Sequence, residues 1–563
     1  APNVTIVSRR NASSIIAMRG AVTFNPAIIY DPTVGLYIDG IYIGKAQGSV
    51  FDIAAIERIE VLRGPQGTLF GRNTLAGAIN VVTEKPSGEL RGSAKVSYGN
   101  YNETMARFSI DLPAAGALKA KFSAYYYNRG GFVKVRANPF PGVVNAIEPR
   151  VGHLEARENW ALRTAERLDV SDALTLDFAA DYSRINNRST LNQLVKYQAG
   201  GIFDPASPNY RGNLINFGPA DLYVQPNRRF SYGYATGGID NTPIYERSKT
   251  WSASLTATLE MGDATLKSIT AYRNMKYKQA MDLDGTPLPL ISSNLSNNYK
   301  SFSQELQVTG KTGGLVYTGG LYYFRDSAPT DNDQAYFGNS ILGGCSGCVQ
   351  ALSAARLYYA FTVNAYAAYG QLEYTPPILD EKLTLIAGIR YTSERRSSNT
   401  SRTNYASGVE QATSYYDARA AKTFTGTTPT FVARYAFNDD FNVYFRYAEG
   451  FKSGGFNGEG ANAAAATLPF EPETIESYEV GFKASMFNRR LRVNVAAFND
   501  MHKDMQLAVF IPSTNLASII ANVGKARIRG IEVEVQAVPF DGLSISGNIG
   551  TLDAKYKRFI DNG

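Results

Sequence analysis

The stretch TMARFSIDL (104–112) places Thr104, Ala106, Phe108, Ile110 and Leu112 on one face, and Arg107, Ser109 and Asp111 on the other. A repeat of two is the mark of a β-strand, because successive side chains point to opposite faces of a sheet. The same texture continues outward from it. Leu118, Ala120, Phe122, Ala124 and Tyr126 oppose Lys119, Lys121, Ser123 and Tyr125. Leu383, Leu385, Ala387, Ile389 and Tyr391 oppose Thr384 and Arg390. Phe441, Val443, Phe445 and Tyr447 oppose Asn442, Tyr444 and Arg446, and Ile531, Val533, Val535 and Ala537 oppose Glu532, Glu534 and Gln536. From about residue 89 onward the chain is a succession of such segments, each of about ten residues and bounded by turn residues.

The connections sort into two kinds. Short ones read PAAG (113–116), SDA (171–173), MGD (261–263), KTGG (311–314), FNDD (437–440), FNRR (487–490) and PFDG (539–542). Long ones are expected at 129–158, 185–248, 279–298, 327–361, 398–421 and 451–473. Short turns at one rim and long loops at the other are the pattern of an outer-membrane barrel. Over so many strands the lumen is too wide for side chains to fill, so the apolar face must meet lipid and the polar face water or a plug. The excess of Tyr (36) and Phe (29) over Trp (2) suits aromatic girdles at the two membrane interfaces. The strand count is about seventeen. Bacterial single-chain barrels have even counts, and an open edge in lipid would leave backbone groups unpaired, so several C-terminal strands are expected to be missing from the sequence.

Composition excludes other classes. Of 563 residues, 57 are Lys or Arg and 50 Asp or Glu, a net charge of +7 with no basic block, so no nucleic-acid partner is expected. Two histidines, His153 and His502, nearly exclude multi-His metal sites and His-based catalysis; no metal site and no enzyme activity are expected. Both are read as incidental, one in a loop and one near a strand end. A mean hydropathy of −0.21 does not argue against a membrane barrel, whose apolar face is hidden in alternation.

Residues 1–88 differ in texture. Three short strands, 34–38, 56–62 and 77–83, surround Gly-rich turns and read as a small mixed domain. GPQGTLFG (64–71) lacks both the Lys-Ser/Thr ending of a phosphate loop and the G-x-G-x-x-G spacing, so its glycines are read as serving tight turns and close backbone approach.

RIEVLRGPQGTLFG followed by AGAINVVT resembles the plug signature of TonB-dependent outer-membrane receptors. MRG (18–20) and YIDG (37–40) sit where plug motifs of that family sit. ETIESYEVGFK (473–483), VGKARIRGIEVE (523–534) and RYAEGFKSGGFN (446–457) resemble its later barrel segments. The resemblance implies an all-β membrane barrel of 22 antiparallel strands, here about 17, with an N-terminal α+β plug domain inside the lumen. The plug would occupy 1–88, without its N-terminal part, and the barrel 89–563. The implied function is active uptake of a scarce extracellular small molecule across the outer membrane of a Gram-negative bacterium, driven by TonB and its inner-membrane complex. A ferric siderophore is the first expectation for the ligand. Cobalamin, haem, oligosaccharide and aromatic compounds are alternatives, and a passive channel is the competing class. No cofactor is implied, and a signalling extension would lie ahead of residue 1.

Three sets of site residues are expected, the plug-apex contacts and the plug lock from the resemblance and the others from the residues themselves. Ligand contacts are expected at the plug apices Arg9, Arg10, Phe24, Asn25, Lys45 and Gln47. The long connection adds Arg211, Tyr223, Arg228, Arg229, Tyr232 and Tyr234. Arg with Tyr suits an anionic, partly aromatic ligand. Cys345 and Cys348, in CSGC within an extracellular loop, are expected to form a disulfide in preference to metal or redox work. The family locks its plug to the wall with two plug arginines and two barrel glutamates; the matching residues are Arg19, Arg63, Glu479 and Glu532. Strand parity turns Glu479 and Glu532 to the lumen, opposite Tyr478, Val480, Ile531 and Val533.

Overall fold

Alternation of this kind, repeated through the chain, produces one large antiparallel sheet curled into a barrel around a small N-terminal domain in the computed structural model. The structure describes residues 1–10, 13–23, 28–45, 47, 55–135, 153–188, 232–233, 244–282, 291–336, 353–406, 409–410, 415–510 and 518–559. No helix among them is long and apolar enough to cross a membrane.

The wall begins at Arg91–Gly99 and Glu103–Asp111 and ends with Ser518–Ala537, followed by Ile545–Gly550 and Asp553–Phe559. Successive long strands pair antiparallel in chain order, as Leu118–Arg129 does with its neighbours on both sides. With the last two segments taken as one interrupted strand, seventeen long strands are present among the described residues.

Exposure follows the parity read from the sequence. On Leu118–Arg129, Leu118, Phe122 and Tyr126 are exposed on the outside while Lys121, Ser123 and Tyr125 are buried within. Ile389 is exposed and its neighbour Arg390 is buried. Tyr478, Val480 and Ile531 are exposed where Glu479 and Glu532 are buried.

Several expected loops are wall instead. Ile291–Thr312, Leu315–Tyr336, Ser353–Tyr374 and Leu383–Ala406 are strands of 22 to 24 residues. They carry the sheet through most of 291–298, 327–336, 353–361 and 398–406. A membrane strand needs about 9–11 residues, so these extend well beyond the bilayer. There the outer face meets water, both faces turn polar, as in SSNLSNN (292–298), and the alternation that marks a strand disappears.

The plug consists of two small sheets. Val4–Arg10, Ser13–Met18 and Ala21–Val22 form an antiparallel one. The other runs in the order Ile41–Tyr42, Val34–Ile38, Gly77–Thr83, Ile56–Arg63, with its central pair parallel. Met18, Leu36, Leu75 and Ile79 form its core and pack directly against Ile475 of the wall. Tyr37, Tyr42 and Ala78 pack against Phe324, Val363 and Ala365, so the plug is seated by apolar contact as well as by charge. Among its described residues the plug is strand and turn.

Candidate functional site

Two short turns aim the plug's arginines at the wall. Arg19 has φ of 49° and is followed by Gly20 at 77°. A left-handed arginine carries backbone strain of roughly 1–3 kcal/mol, held only when the surroundings over-determine it. Gly64, after Arg63, has φ of 73°, and a Cβ there would stand 2.9 Å from Arg19 Nη1. The glycine of the LRGP turn therefore makes room for the neighbouring guanidinium.

That guanidinium is 3% exposed. Its Nη2 donates to Glu479 Oε2 at 2.7 Å and to Glu532 Oε2 at 2.9 Å, and its Nε donates to Glu532 Oε1 at 3.2 Å. The Phe498 ring lies 4.0 Å beneath it. Arg63 pairs with Glu532 Oε2 at 3.2 Å and with Glu534 Oε1 at 3.0 Å. Tyr444 Oη donates to Glu479 Oε1 at 2.8 Å, and Arg446 Nη2 donates to the carbonyl of Pro65. All four residues expected to meet are brought together. Glu534, Tyr444 and Arg446 join them unforeseen, although Glu534 shares the lumen parity of Glu532.

A second cluster centres on Asp31. Its Oδ1 accepts from Lys45 Nζ at 2.7 Å, and its Oδ2 from Arg72 at 3.0 Å and from Arg396 of the wall. Arg72 Nε lies 3.2 Å from Glu394 Oε1, and Arg396 Nη2 lies 3.0 Å from Glu394 Oε2. Burial alone would raise the Asp31 carboxyl, but Arg396, Lys45 and Arg72 outweigh it and hold the group well below the usual carboxylate range. A third contact joins Arg163 of the wall to Asp39 and Thr83 of the plug, at 2.8 and 3.0 Å, and to Asp181 at 2.8 Å.

A plug seated in a barrel and fastened through its MRG and LRGP turns is one half of the comparison with known proteins. The other half is that residues 1–78 match the model of the TonB-dependent receptor plug domain, and residues 203–563 that of the TonB-dependent receptor-like β-barrel. The chain belongs to the TonB-dependent receptors. Receptors of this family are outer-membrane proteins of Gram-negative bacteria, so the apolar outer face, Ile389 and Val480 included, meets lipid. The pesticin receptor of Yersinia pestis is 23% identical over 552 residues, covering 95% of this chain and 69% of its own. The metal-pseudopaline receptor CntO of Pseudomonas aeruginosa is 22% identical over 534 residues, covering 90% and 64%. Among solved structures, the ferric yersiniabactin uptake receptor FyuA of Y. pestis superposes with a TM-score of 0.77 at 20% identity, over 99% of this chain and 75% of that one. The siderophore receptor PiuA of Acinetobacter baumannii gives 0.70 at 16%, over 99% and 76%. At these identities the superpositions establish the fold.

The receptor's other expected residues fare differently. Lys45 and Gln47, expected to meet ligand at an apex, are 7% and 5% exposed. Lys45 is engaged by Asp31 and does not present its charge to an arriving molecule. Arg9 and Arg10 lie in Val4–Arg10 and Tyr232 in Tyr232–Gly233, but their side chains are outside the described residues. Phe24, Asn25, Arg211, Tyr223, Arg228, Arg229, Tyr234, Cys345 and Cys348 also lie outside them. His502 is not incidental. It is 2% exposed, and its Nε2 meets Glu473, whose other oxygen is 2.6 Å from Lys452 Nζ. That trio gathers from three adjacent strands, a juxtaposition no local pattern announces. His153 is exposed in the short strand His153–Leu154.

Proposed function

We propose that the receptor takes up a ferric siderophore by the TonB-driven mechanism of its family, with Arg19, Arg63, Glu479 and Glu532 acting as the lock between plug and barrel. The observation that carries this reading is the buried ion cluster between the two parts. A passive channel needs no plug, and no fastening that strands charge on both sides when it opens. Polar contacts suit a lock that must open, because water replaces them as the plug moves, and the net difference per hydrogen bond is about 0.5–1.5 kcal/mol. The named relatives support iron as the cargo, since FyuA is a ferric yersiniabactin uptake receptor and PiuA a siderophore receptor. Capture of the chelate falls to the long connection 185–248, whose Arg and Tyr suit an anionic, partly aromatic ligand.

The test is accumulation of radioactive iron, supplied as ferric catecholate, hydroxamate and phenolate chelates, by cells with and without the receptor. The expected result is accumulation of at least one chelate that stops when the proton gradient is collapsed. Accumulation that survives the collapse would reassign the protein to passive passage.

A further inference from the structure

The outward face of the wall carries a band of aromatic rings. Trp160 lies 5.2 Å from Tyr182, Trp251 5.0 Å from Tyr272, Phe302 6.2 Å from Tyr323, and Tyr323 5.0 Å from Tyr366. Both tryptophans of the chain belong to it. Trp251 stands ten residues from Met261, and Tyr272 nine from Asp263, at the short turn between their strands. A membrane strand spans about 9–11 residues, so the band marks the upper edge of the apolar belt, at the level of the lipid headgroups.

Immediately above this band the charge is of one sign. Two residues beyond Tyr182, Trp251, Phe302 and Tyr323 come Arg184, Lys249, Lys300 and Arg325, and Lys276 lies four beyond Tyr272. All five are exposed, as are Arg247 and Lys278 one step higher. The register places like charges directly opposite one another: Arg184 faces Lys249, Lys249 faces Lys276, and Arg247 faces Lys278. Such pairs destabilise a sheet. Among the described residues none of the seven is in an ion pair with a carboxylate. Arg247 donates to Asn186 Oδ1 at 2.9 Å and lies over the Tyr245 ring. Outward carboxylates stand at the margins, where Glu158 accepts from Asn186 and Asp331 is opposite Ser296.

A place above the aromatic band does not by itself demand cations. On Phe441–Lys452 and Glu473–Met486 the rings of Tyr447 and Tyr478 are 5.1 Å apart, and two residues beyond them stand Glu449 and Glu476, directly opposite one another. There Glu476 is met by Lys503 of the next strand. The basic sector has no such carboxylate within the wall.

We propose that this sector, on the five strands from Leu174–Asn187 to Leu315–Tyr336, binds a phosphate-bearing lipid of the outer leaflet. Phosphate oxygens accept charge-assisted hydrogen bonds from Arg and Lys, and a phosphate set between two facing cations turns their repulsion into two attractions. The acyl chains lie against Leu255, Leu306 and Leu321, exposed on the same face below the rings. Cations at the headgroup and an apolar belt at the tails suit an anionic lipid better than a free anion or a soluble protein. The site is independent of what the receptor carries.

The experiment titrates purified receptor in nonionic detergent with lipid A bearing both phosphates, with the same lipid stripped of phosphate, and with inorganic phosphate. Bound lipid is read by native mass spectrometry. Wild type is expected to hold the phosphorylated lipid several-fold more tightly than the stripped one, and to lose that preference at high salt. Lys249→Gln with Lys276→Gln is expected to weaken binding several-fold, while Lys249→Arg with Lys276→Arg keeps it. Arg395→Gln with Arg419→Gln removes two exposed cations from another part of the outer face and is expected to leave binding unchanged. Equal binding of the phosphorylated and stripped lipids, or an equal loss in the Arg395→Gln, Arg419→Gln variant, overturns the site. Inorganic phosphate that displaces the lipid at equal concentration overturns the lipid as occupant and leaves a site for small anions.

Discussion

The Arg19 and Asp31 clusters fasten the same plug to the same wall, yet they divide their charges differently. At Arg19 the plug supplies cations and the wall supplies carboxylates. Pulling the plug away strips Arg19 and Arg63 of partners and leaves Glu532 without a cation, while Glu479 keeps Tyr444 of the wall. At Asp31 the plug carries its own pairings with Lys45 and Arg72, and the wall keeps Glu394 with Arg396. Those halves separate with each carboxylate still paired. The energy of an ion cluster across a moving boundary thus depends less on how many pairs it contains than on how many cross the boundary. On that count the first cluster resists separation more than the second.

The largest effect is expected from Arg19→Ala. Breaking a buried pair by removing one partner costs roughly 3–5 kcal/mol, read as a loss in denaturant-unfolding stability of the purified receptor in detergent. Adding Glu479→Gln and Glu532→Gln to that variant should recover much of the loss, because no carboxylate is then stranded. No recovery would show that packing against Phe498, not charge, sets the cost.

Replacing the wall half of the second cluster, Glu394→Gln with Arg396→Gln, is expected to cost less, about 1–3 kcal/mol, since Asp31 keeps Lys45 and Arg72. A loss equal to that of Arg19→Ala in the same unfolding measurement would erase the distinction between the clusters.

Glu534→Ala sharpens the comparison within the first cluster. Its side chain is 33% exposed and that of Glu532 only 1%. An exposed pair contributes about 0–1 kcal/mol, so this substitution should be near neutral where Glu532→Ala is severe.

The smallest effect concerns pH. Asp31 is held well below its unfolded value, so its contribution is present above the ordinary aspartate range and is lost only as pH falls through the lower folded value. The stability difference between wild type and Asp31→Asn should therefore stay flat from neutral pH down to about pH 5 and shrink only in stronger acid. A difference that fell between pH 7 and 5 would mean that the cations do not hold the carboxylate as described.

How far the sequence reached can be seen residue by residue. Parity turned Glu479 and Glu532 to the lumen, and the MRG and LRGP turns singled out Arg19 and Arg63. The same parity turns Glu534, two residues from Glu532, to the same face and toward Arg63. Asp31, outside any strand, had no such signal: its partners Arg72 and Arg396 lie 41 and 365 positions away in sequence. Glu473 and His502 became partners only through the pairing of their strands, 29 positions apart. The tall strands escaped because above the membrane both faces meet water, and a polar–polar strand has no alternation to read.

What the sequence determined by itself was periodic and local: strands by alternation, inside from outside by parity, turns by Gly and Asp, and the plug by its motif. These follow from the chain's own geometry, in which each side chain's direction is set within a residue or two. Which carboxylate meets which arginine and which lysine is spent on an internal aspartate were decided by tertiary structure alone. Those outcomes depend on the depth at which the plug seats and on the register between strands, which bring together groups hundreds of residues apart and fix how much water remains between them.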